Sequence, residues 1–272
     1  MCLSVYLMTA SPYENIAATE NVSAVMNVDR YVKSVYDAVD FGSNPVSFEV
    51  FEKAYHGYLN LRNAGKLNAD KDILTICDFS RSSTEYRMWV IDVRNHKVLV
   101  NDYVAHGQGS GDEFATAFSN RPNSHQSSMG FYVTGDTYIG SHGESLRLHG
   151  MDQGYNDNAY DRAIVVHGAR YVSDDFVAGQ RRLGRSWGCP AVASNIAGKV
   201  ISDIKEGTCL FIYSPDKKYL ETAYWLNKKV DAGQLGSFDK DLVASSAPVY
   251  KYDPAYQTRI MRQYKKARLP LL

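Results

Sequence analysis

Residues 163–192 read AIVVHGARYVSDDFVAGQRRLGRSWGCPAV. The opening Ala163-Ile164-Val165-Val166 is a short apolar run, the pattern of a buried strand. It ends in His167-Gly168, where a strand would leave its sheet. A polar connection follows, and Arg185-Ser186-Trp187-Gly188-Cys189-Pro190 then sets one cysteine between a glycine and a proline. Cysteine attacks carbonyls as the thiolate, whose share rises when an imidazole or another positive group lies near. A histidine at a strand end and a cysteine in a nearby tight turn are one way to bring the two together. A single cysteine is more often a small buried hydrophobe than a nucleophile, so the order of the surrounding residues has to carry the reading.

That order resembles the L,D-transpeptidases of the YkuD type, which carry a strand ending in His-Gly, a short connection, and then Ser-His-Gly-Cys. Here Val166-His167-Gly168 and Ser186-Trp187-Gly188-Cys189 follow in that sequence. Ser127-Ser128-Met129-Gly130-Phe131-Tyr132-Val133 looks like the family's upstream Thr-Pro-x-Gly strand start. The nearest likeness is to the murein L,D-transpeptidase catalytic domain branch, with Trp where the second family His stands, and it covers roughly residues 73–215. Three features depart from the usual pattern. Trp187 replaces the second His, the connection from His167 to Ser186 is longer, and Pro190-Ala191 replaces the apolar-Arg or apolar-Asn pair after the cysteine.

The resemblance implies an α+β fold, mainly β with helices, whose catalytic domain is a YkuD-like β-sandwich. It implies a cysteine acyltransferase acting on peptidoglycan. The donor would be a tetrapeptide stem, cut between the L-centre of its third, diamino acid residue and the terminal D-Ala; the acceptor would be the side-chain amine of another stem. Neither metal nor cofactor is implied, and the site of action would be the periplasm or cell envelope. In this reading Cys189 is the nucleophile and His167 its base. The backbone N–H groups of Gly188 and Cys189 are candidates for the oxyanion, because glycine lets the backbone approach closely.

The remaining site candidates have two readings each. Arg185 would meet a substrate carboxylate, for which a guanidinium is suited, or brace the turn. Ser186 would orient His167 or cap a turn. Trp187 would wall the pocket or fill core. His149, in a second Leu-His-Gly, would relay protons or serve structure. Tyr132 would line the donor groove beside the Gly130 strand start, and Gly168 is a further substrate-binding candidate. Three rivals stand beside the transpeptidase. An L,D-carboxypeptidase or endopeptidase would use the same site with water as acceptor. A wall-binding module would use it with no chemistry. A papain-type protease has its Cys before its His, the reverse of the order here.

Composition narrows the partners. Thirty basic and 30 acidic residues balance, so no global field favours nucleic acid or an anionic membrane. The 272 residues suffice for a substantial core. No stretch is long and apolar enough to cross a membrane. The four cysteines, Cys2, Cys77, Cys189 and Cys209, have no zinc-site spacing. Cys77 and Cys209 fall in strand-like runs and read as core, and whether they pair is not deducible from sequence. The first residues are apolar without a basic leader, a poor signal peptide or the stub of one.

Four segments are expected: a flexible lead or signal stub over 1–27, an N-terminal helical support over 28–70, the catalytic domain over 71–215 and a C-terminal extension over 216–272. Helical spacing covers 28–39, and a second helix starts after Ser47, an N-cap, with Phe48, Phe51, Tyr55 and Tyr58 on one face. Strands are expected over 73–79, in a hairpin 86–104, at 131–133, 138–139, 146–148, 163–166 and 209–213, with a helix over 194–204. Gly107, Gly109 and Gly111 mark a long polar loop over 105–128. It lacks the Lys-Ser/Thr and the strand-to-helix setting of a phosphate loop and is expected to border the cleft. Beyond 215 a helix is expected over 219–230. The basic residues of 251–268 read as a solvated helix face or as an arm for an anionic polymer or lipid.

Overall fold

The computed structural model describes residues 28–231. The expected lead over 1–27 and the basic stretch over 251–268 lie outside the described residues.

Eight strands form one hydrogen-bonded series: β1 (Ile73–Asp78), β2 (Met88–Asp92), β3 (Lys97–Asp102), β4 (Gly130–Gly140), β5 (Gly143–Gly150), β6 (Val165–Ala169), β7 (Ala191–Ala193) and β8 (Cys209–Tyr213). Their order in space is β3-β2-β1-β8-β4-β5-β6-β7. The β1–β8 and β6–β7 pairs are parallel and the others antiparallel, so the sheet is mixed and the fold is α+β. The helices are α1 (28–38), α2 (Phe48–Asn63), α3 (Asp174–Gln180), α4 (Ala197–Ile204), α5 (Lys217–Thr222) and α6 (Tyr224–Asn227).

Ser47 caps α2 through its side chain, which accepts from Val50 N–H. The apolar face of α2 lies on β1 and β8, and Phe51, Tyr55, Phe131, Phe211 and Tyr219 share one core there. Asn60 of α2 donates to the carbonyls of Trp225 and Lys228, which fastens α6 to α2. A second core on the opposite face of the central strands holds Leu146, Leu148, Val166, Leu210 and Ile212 together with Val200, Ile201 and Ile204 of α4. The central strands are covered on both faces, so they read as continuous apolar runs.

The two short strands expected near 131 and 138 are one strand, β4, whose register with β5 shifts between Thr134 and Thr137. That irregularity at Gly135-Asp136 breaks the period of two that the sequence pattern relies on. Helix α3 lies in the segment expected to be only a polar connection. The helix expected over 219–230 is two short helices, α5 and α6, with a break at Ala223.

Cys77 and Cys209 are free thiols. In the β1–β8 ladder Cys77 faces Ile212 and Cys209 faces Leu74. An offset of three residues is odd, so the two side chains point to opposite faces, and each joins a different core.

Candidate active site

The apolar run before His167 becomes β6, held between β5 and β7. His167 stands across from Ser145 of β5 and Ala191 of β7. Its Nδ1 lies 3.0 Å from the carbonyl oxygen of Gly168. A carbonyl only accepts, so Nδ1 carries the proton and Nε2 of the neutral ring is left as the basic nitrogen. Burial lowers the His167 pKa, the Gly168 carbonyl raises it, and the neighbouring His142 lowers it further. The net displacement is downward, so the imidazole stays neutral to a lower pH than an ordinary histidine.

Cys189 lies just before β7, against the first residues of β6. Its Sγ is 3.5 Å from the backbone N of Val165 and 3.8 Å from the carbonyl oxygen of Ala163. These are its hydrogen-bond partners among the described residues; the His167 ring is not one of them. Val165 is two residues before His167, an offset of about 7 Å of strand. Cys189 is partly exposed, whereas Cys77 and Cys209 are fully buried. Burial raises the Cys189 pKa, while the Val165 N–H and the charge of Arg162 pull it down. Burial pushes the Cys77 thiol up to about 12 and the Cys209 thiol higher still. Of the three described cysteines, Cys189 is the accessible one.

The turn that presents Cys189 is braced throughout. Ser186 Oγ accepts from Gly188 N–H at 3.1 Å and donates to the Cys189 carbonyl at 2.6 Å. Its own N–H donates to the His106 carbonyl, and its carbonyl accepts from Gln108 N–H. Ser127 Oγ donates to the Gly188 carbonyl. Gly188 has φ 122°, and a Cβ there would come within 2.7 Å of the Gln126 carbonyl, so only glycine fits. Gly107 presses on Gly188 in the same way: a Cβ at 107 would lie 2.8 Å from the Gly188 Cα. The glycine-rich loop therefore packs backbone on backbone against the cysteine turn.

Behind this turn lies Arg87, fully buried, which donates to the Val104 and Arg81 carbonyls and reaches His106 Nδ1 at 2.8 Å. Arginine is always a donor, so Nδ1 accepts and the His106 proton sits on Nε2, toward the Gly111 carbonyl. Burial, with the Arg87 charge next, lowers the His106 pKa to about 4, which keeps the ring neutral.

Several expected site residues have other work. Gly188 N–H is already engaged by Ser186, so of the two expected oxyanion donors only Cys189 N–H is without a partner among the described hydrogen bonds. Ser186 holds the turn and does not orient His167. Arg185 pairs with Asp112 at 2.7 Å and donates to the Gly111 carbonyl, which is the bracing alternative. Tyr132 does not line a groove; it is fully buried in the second core and donates to the Ser128 carbonyl. A Cβ at Gly168 would meet the Ala197 Cβ at 2.9 Å, so this glycine lets α4 pack on β6. Trp187 is 72% exposed and stacks on His125, so it does not fill core. His149 is exposed and stacks on Tyr160.

Three residues that the sequence did not single out lie close to the pair. His142, in the β4–β5 turn, stacks on His167 with ring centroids 4.4 Å apart. Arg162 acts electrostatically on Cys189 while bonding the Ser119 and Gln126 carbonyls and the Ser124 and Ser128 hydroxyls. The Tyr171 pKa is raised to about 12, by burial and then by Cys189. Among the described residues no group of three or more His, Cys, Asp or Glu is arranged to hold a metal ion.

The profile of a family described as "L,D-transpeptidase catalytic domain" matches residues 43–213. No curated protein matches the chain. Among solved structures, an L,D-transpeptidase in complex with imipenem is similar at 14% identity and TM-score 0.32, over 52% of this chain and 59% of that one. An L,D-transpeptidase from Mycobacterium smegmatis is similar at 13% identity and TM-score 0.32, over 53% of this chain and 59% of that one. One from Stackebrandtia nassauensis is similar at 10% identity and TM-score 0.33, over 69% and 90%. The chain thus spans about 59% of the length of the first two.

Proposed function

The chain belongs to the L,D-transpeptidase catalytic domain family, and from that premise we propose that it cross-links peptidoglycan stems through a thioester on Cys189. The observation that carries the proposal is the arrangement on one strand, β6. Its first residues hold the Cys189 sulfur, and two residues on, the Gly168 carbonyl fixes His167 as a neutral base with Nε2 open.

In the proposed reaction the Cys189 thiol gives its proton to His167 Nε2, and the sulfur attacks the amide carbonyl carbon of a donor stem. Catalytic hydrogen bonds tighten on substrate binding, and the move required here closes the two-residue offset between Cys189 and His167. Cys189 N–H faces the developing oxyanion. The C–N bond then breaks, the His167 proton passes to the departing amine of D-Ala, and an acyl thioester remains. An acceptor amine attacks that thioester, a new amide forms and the thiol is regained. Every step is proton movement and acyl transfer, so electrons balance without a redox partner. The braced turn keeps the sulfur in place while both acyl groups come and go. The proposed site of action is the cell envelope, where such stems occur. Among the described residues no helix is long and apolar enough to cross a membrane.

The test is mass spectrometry of protein and products after incubation with purified tetrapeptide stems. The expected result is an acyl adduct on the wild type and on Cys77→Ala, no adduct on Cys189→Ala, and cross-linked dimers among the products. Shortened stems without dimers would make the enzyme a hydrolase of the same bond. An adduct that survives Cys189→Ala would overturn the assignment of the nucleophile.

A further inference from the structure

We propose that Arg147, and not the arginine of the cysteine turn, recognises a carboxylate of the peptide substrate. Leu146 and Leu148 point into the second core, so the intervening side chains of β5, Arg147 and His149, emerge on the other face. Register places residues on that same face in neighbouring strands. Tyr138 of β4 stands across from Ser145, Ser145 across from His167, and Arg147 across from Val165. Val165 is the residue whose N–H holds the Cys189 sulfur. Arg147 is therefore one strand, about 5 Å, from the backbone that cradles the nucleophile, and it shares a face with the base.

The guanidinium is held but not used up. It lies 4.5 Å from the Tyr138 ring centroid and 5.6 Å from that of Tyr160. Tyr160 is in turn stacked on His149. Two aromatic rings fix the orientation of a planar cation at little entropic cost when a ligand arrives. Among the described residues its one ionic neighbour is Asp136, 3.5 Å from Nε and itself 73% exposed, a contact that water screens. The Arg147 side chain makes no hydrogen bond among the described residues, so both terminal nitrogens of the fork are open. The other arginines near the site differ: Arg87, Arg162 and Arg185 each bond several acceptors of their own chain. An oriented guanidinium with an open fork matches a carboxylate bidentately. The loop bearing Tyr160 leads to Ala163, whose carbonyl touches the Cys189 sulfur, so a peptide lying along this face reaches the thiol.

This assignment rests on the proposed reaction for the identity of the substrate, and the two residues joined by the bond to be cut each offer a free carboxylate. One is the terminal α-carboxylate of D-Ala and the other the free carboxylate of the diamino acid. Three peptides separate them: the tetrapeptide, its C-terminal amide, and the same peptide amidated on the diamino acid. Binding is measured calorimetrically on Cys189→Ala, which cannot react, and on Cys189→Ala combined with Arg147→Gln or Arg147→Lys. A charge-assisted pair contributes about 1.5–3 kcal/mol, or roughly 10- to 150-fold in affinity. The expected result is that one amidation weakens binding to Cys189→Ala by such a factor and that Arg147→Gln removes the difference between that amide and its parent. Arg147→Lys, which keeps the charge and loses the fork, should restore part of it, with unfolding midpoints checking that each variant folds.

Discrimination that persists undiminished in Arg147→Gln, or no binding of any of the three peptides, would overturn the assignment. Peptides that bind as expected but never acylate the wild type would leave Arg147 in place and count against the proposed reaction instead.

Discussion

On the turn side of Cys189, nearly every polar group is bonded within the chain. Ser186 bridges Gly188 N–H and the Cys189 carbonyl, Ser127 holds the Gly188 carbonyl, and Arg185 is paired with Asp112. On the strand side the corresponding groups are open. Among the described residues His167 Nε2 has no hydrogen-bond partner, His142 is exposed, and the Arg147 fork makes no hydrogen bond. Buried polar groups must be satisfied or they cost stability, so a bonded group does scaffold work and an open one near a thiol is available to a ligand. The contrast divides the site into a rigid half that aims the sulfur and a receptive half that meets the peptide.

The largest effect expected from breaking this contrast is at the receptive half. His167→Ala should slow acylation of Cys189 by roughly 10²- to 10⁴-fold, the range for loss of a general base. Its thermal stability should change little beyond the loss of one buried ring, and stopped-flow adduct formation against unfolding midpoints separates the two. A mutant that acylates at the wild-type rate would remove His167 from the chemistry. On the rigid half the expected outcome is the reverse. Ser186→Ala orphans the Gly188 N–H and the Cys189 carbonyl, at about 1–3 kcal/mol for each group that water does not reach. Denaturant unfolding should therefore register Ser186→Ala clearly. Acylation should fall through a misplaced sulfur, with the pH profile unmoved.

The two halves were also unequally legible in the sequence. His167 and Cys189 could be found because each sits in a local pattern, a strand end and a glycine–cysteine–proline turn. The α2 helix could be found because Ser47 and an apolar face announce it. The braces are long-range: Ser127 reaches Gly188 across 61 positions, and Arg162 reaches Ser119 across 43. No periodicity encodes such contacts. Arg185 and Arg147 look alike as letters, and only the fold separates the one beside Asp112 from the one between two tyrosines. Tyr132 was misread because β4 is covered on both faces. Phe131 enters one core and Tyr132 the other, so alternation leaves neither to a groove. Helix α3 had a usable signal, Ser173 as N-cap with Asp174 and Asp175 in the first turn. It has no buried residue, and hence no apolar stripe to draw attention to it.

The smallest expected effect lies at His142, where the two imidazoles meet. Burial is the leading cause of the lowered His167 pKa, and the charge of His142 acts in the same direction. A histidine whose folded pKa is lowered contributes stability above its unfolded pKa, and that stability is lost as pH falls through the folded value. The same shift keeps His167 a competent base into more acidic solution. His142→Phe retains a ring over His167 and removes the charge, so the burial contribution should stay and the electrostatic one should go. The acid limb of the acylation profile should then move toward higher pH by a fraction of a unit, with the plateau rate within about threefold of wild type. His142→Ala also uncovers His167 to water and should move the limb further in the same direction. A limb that stays put in His142→Phe and moves in His142→Ala would mean that the stacked ring only shields the base. A plateau collapse in His142→Phe comparable to that of His167→Ala would instead make the second imidazole part of the proton transfer, and the receptive half would then hold two bases rather than one.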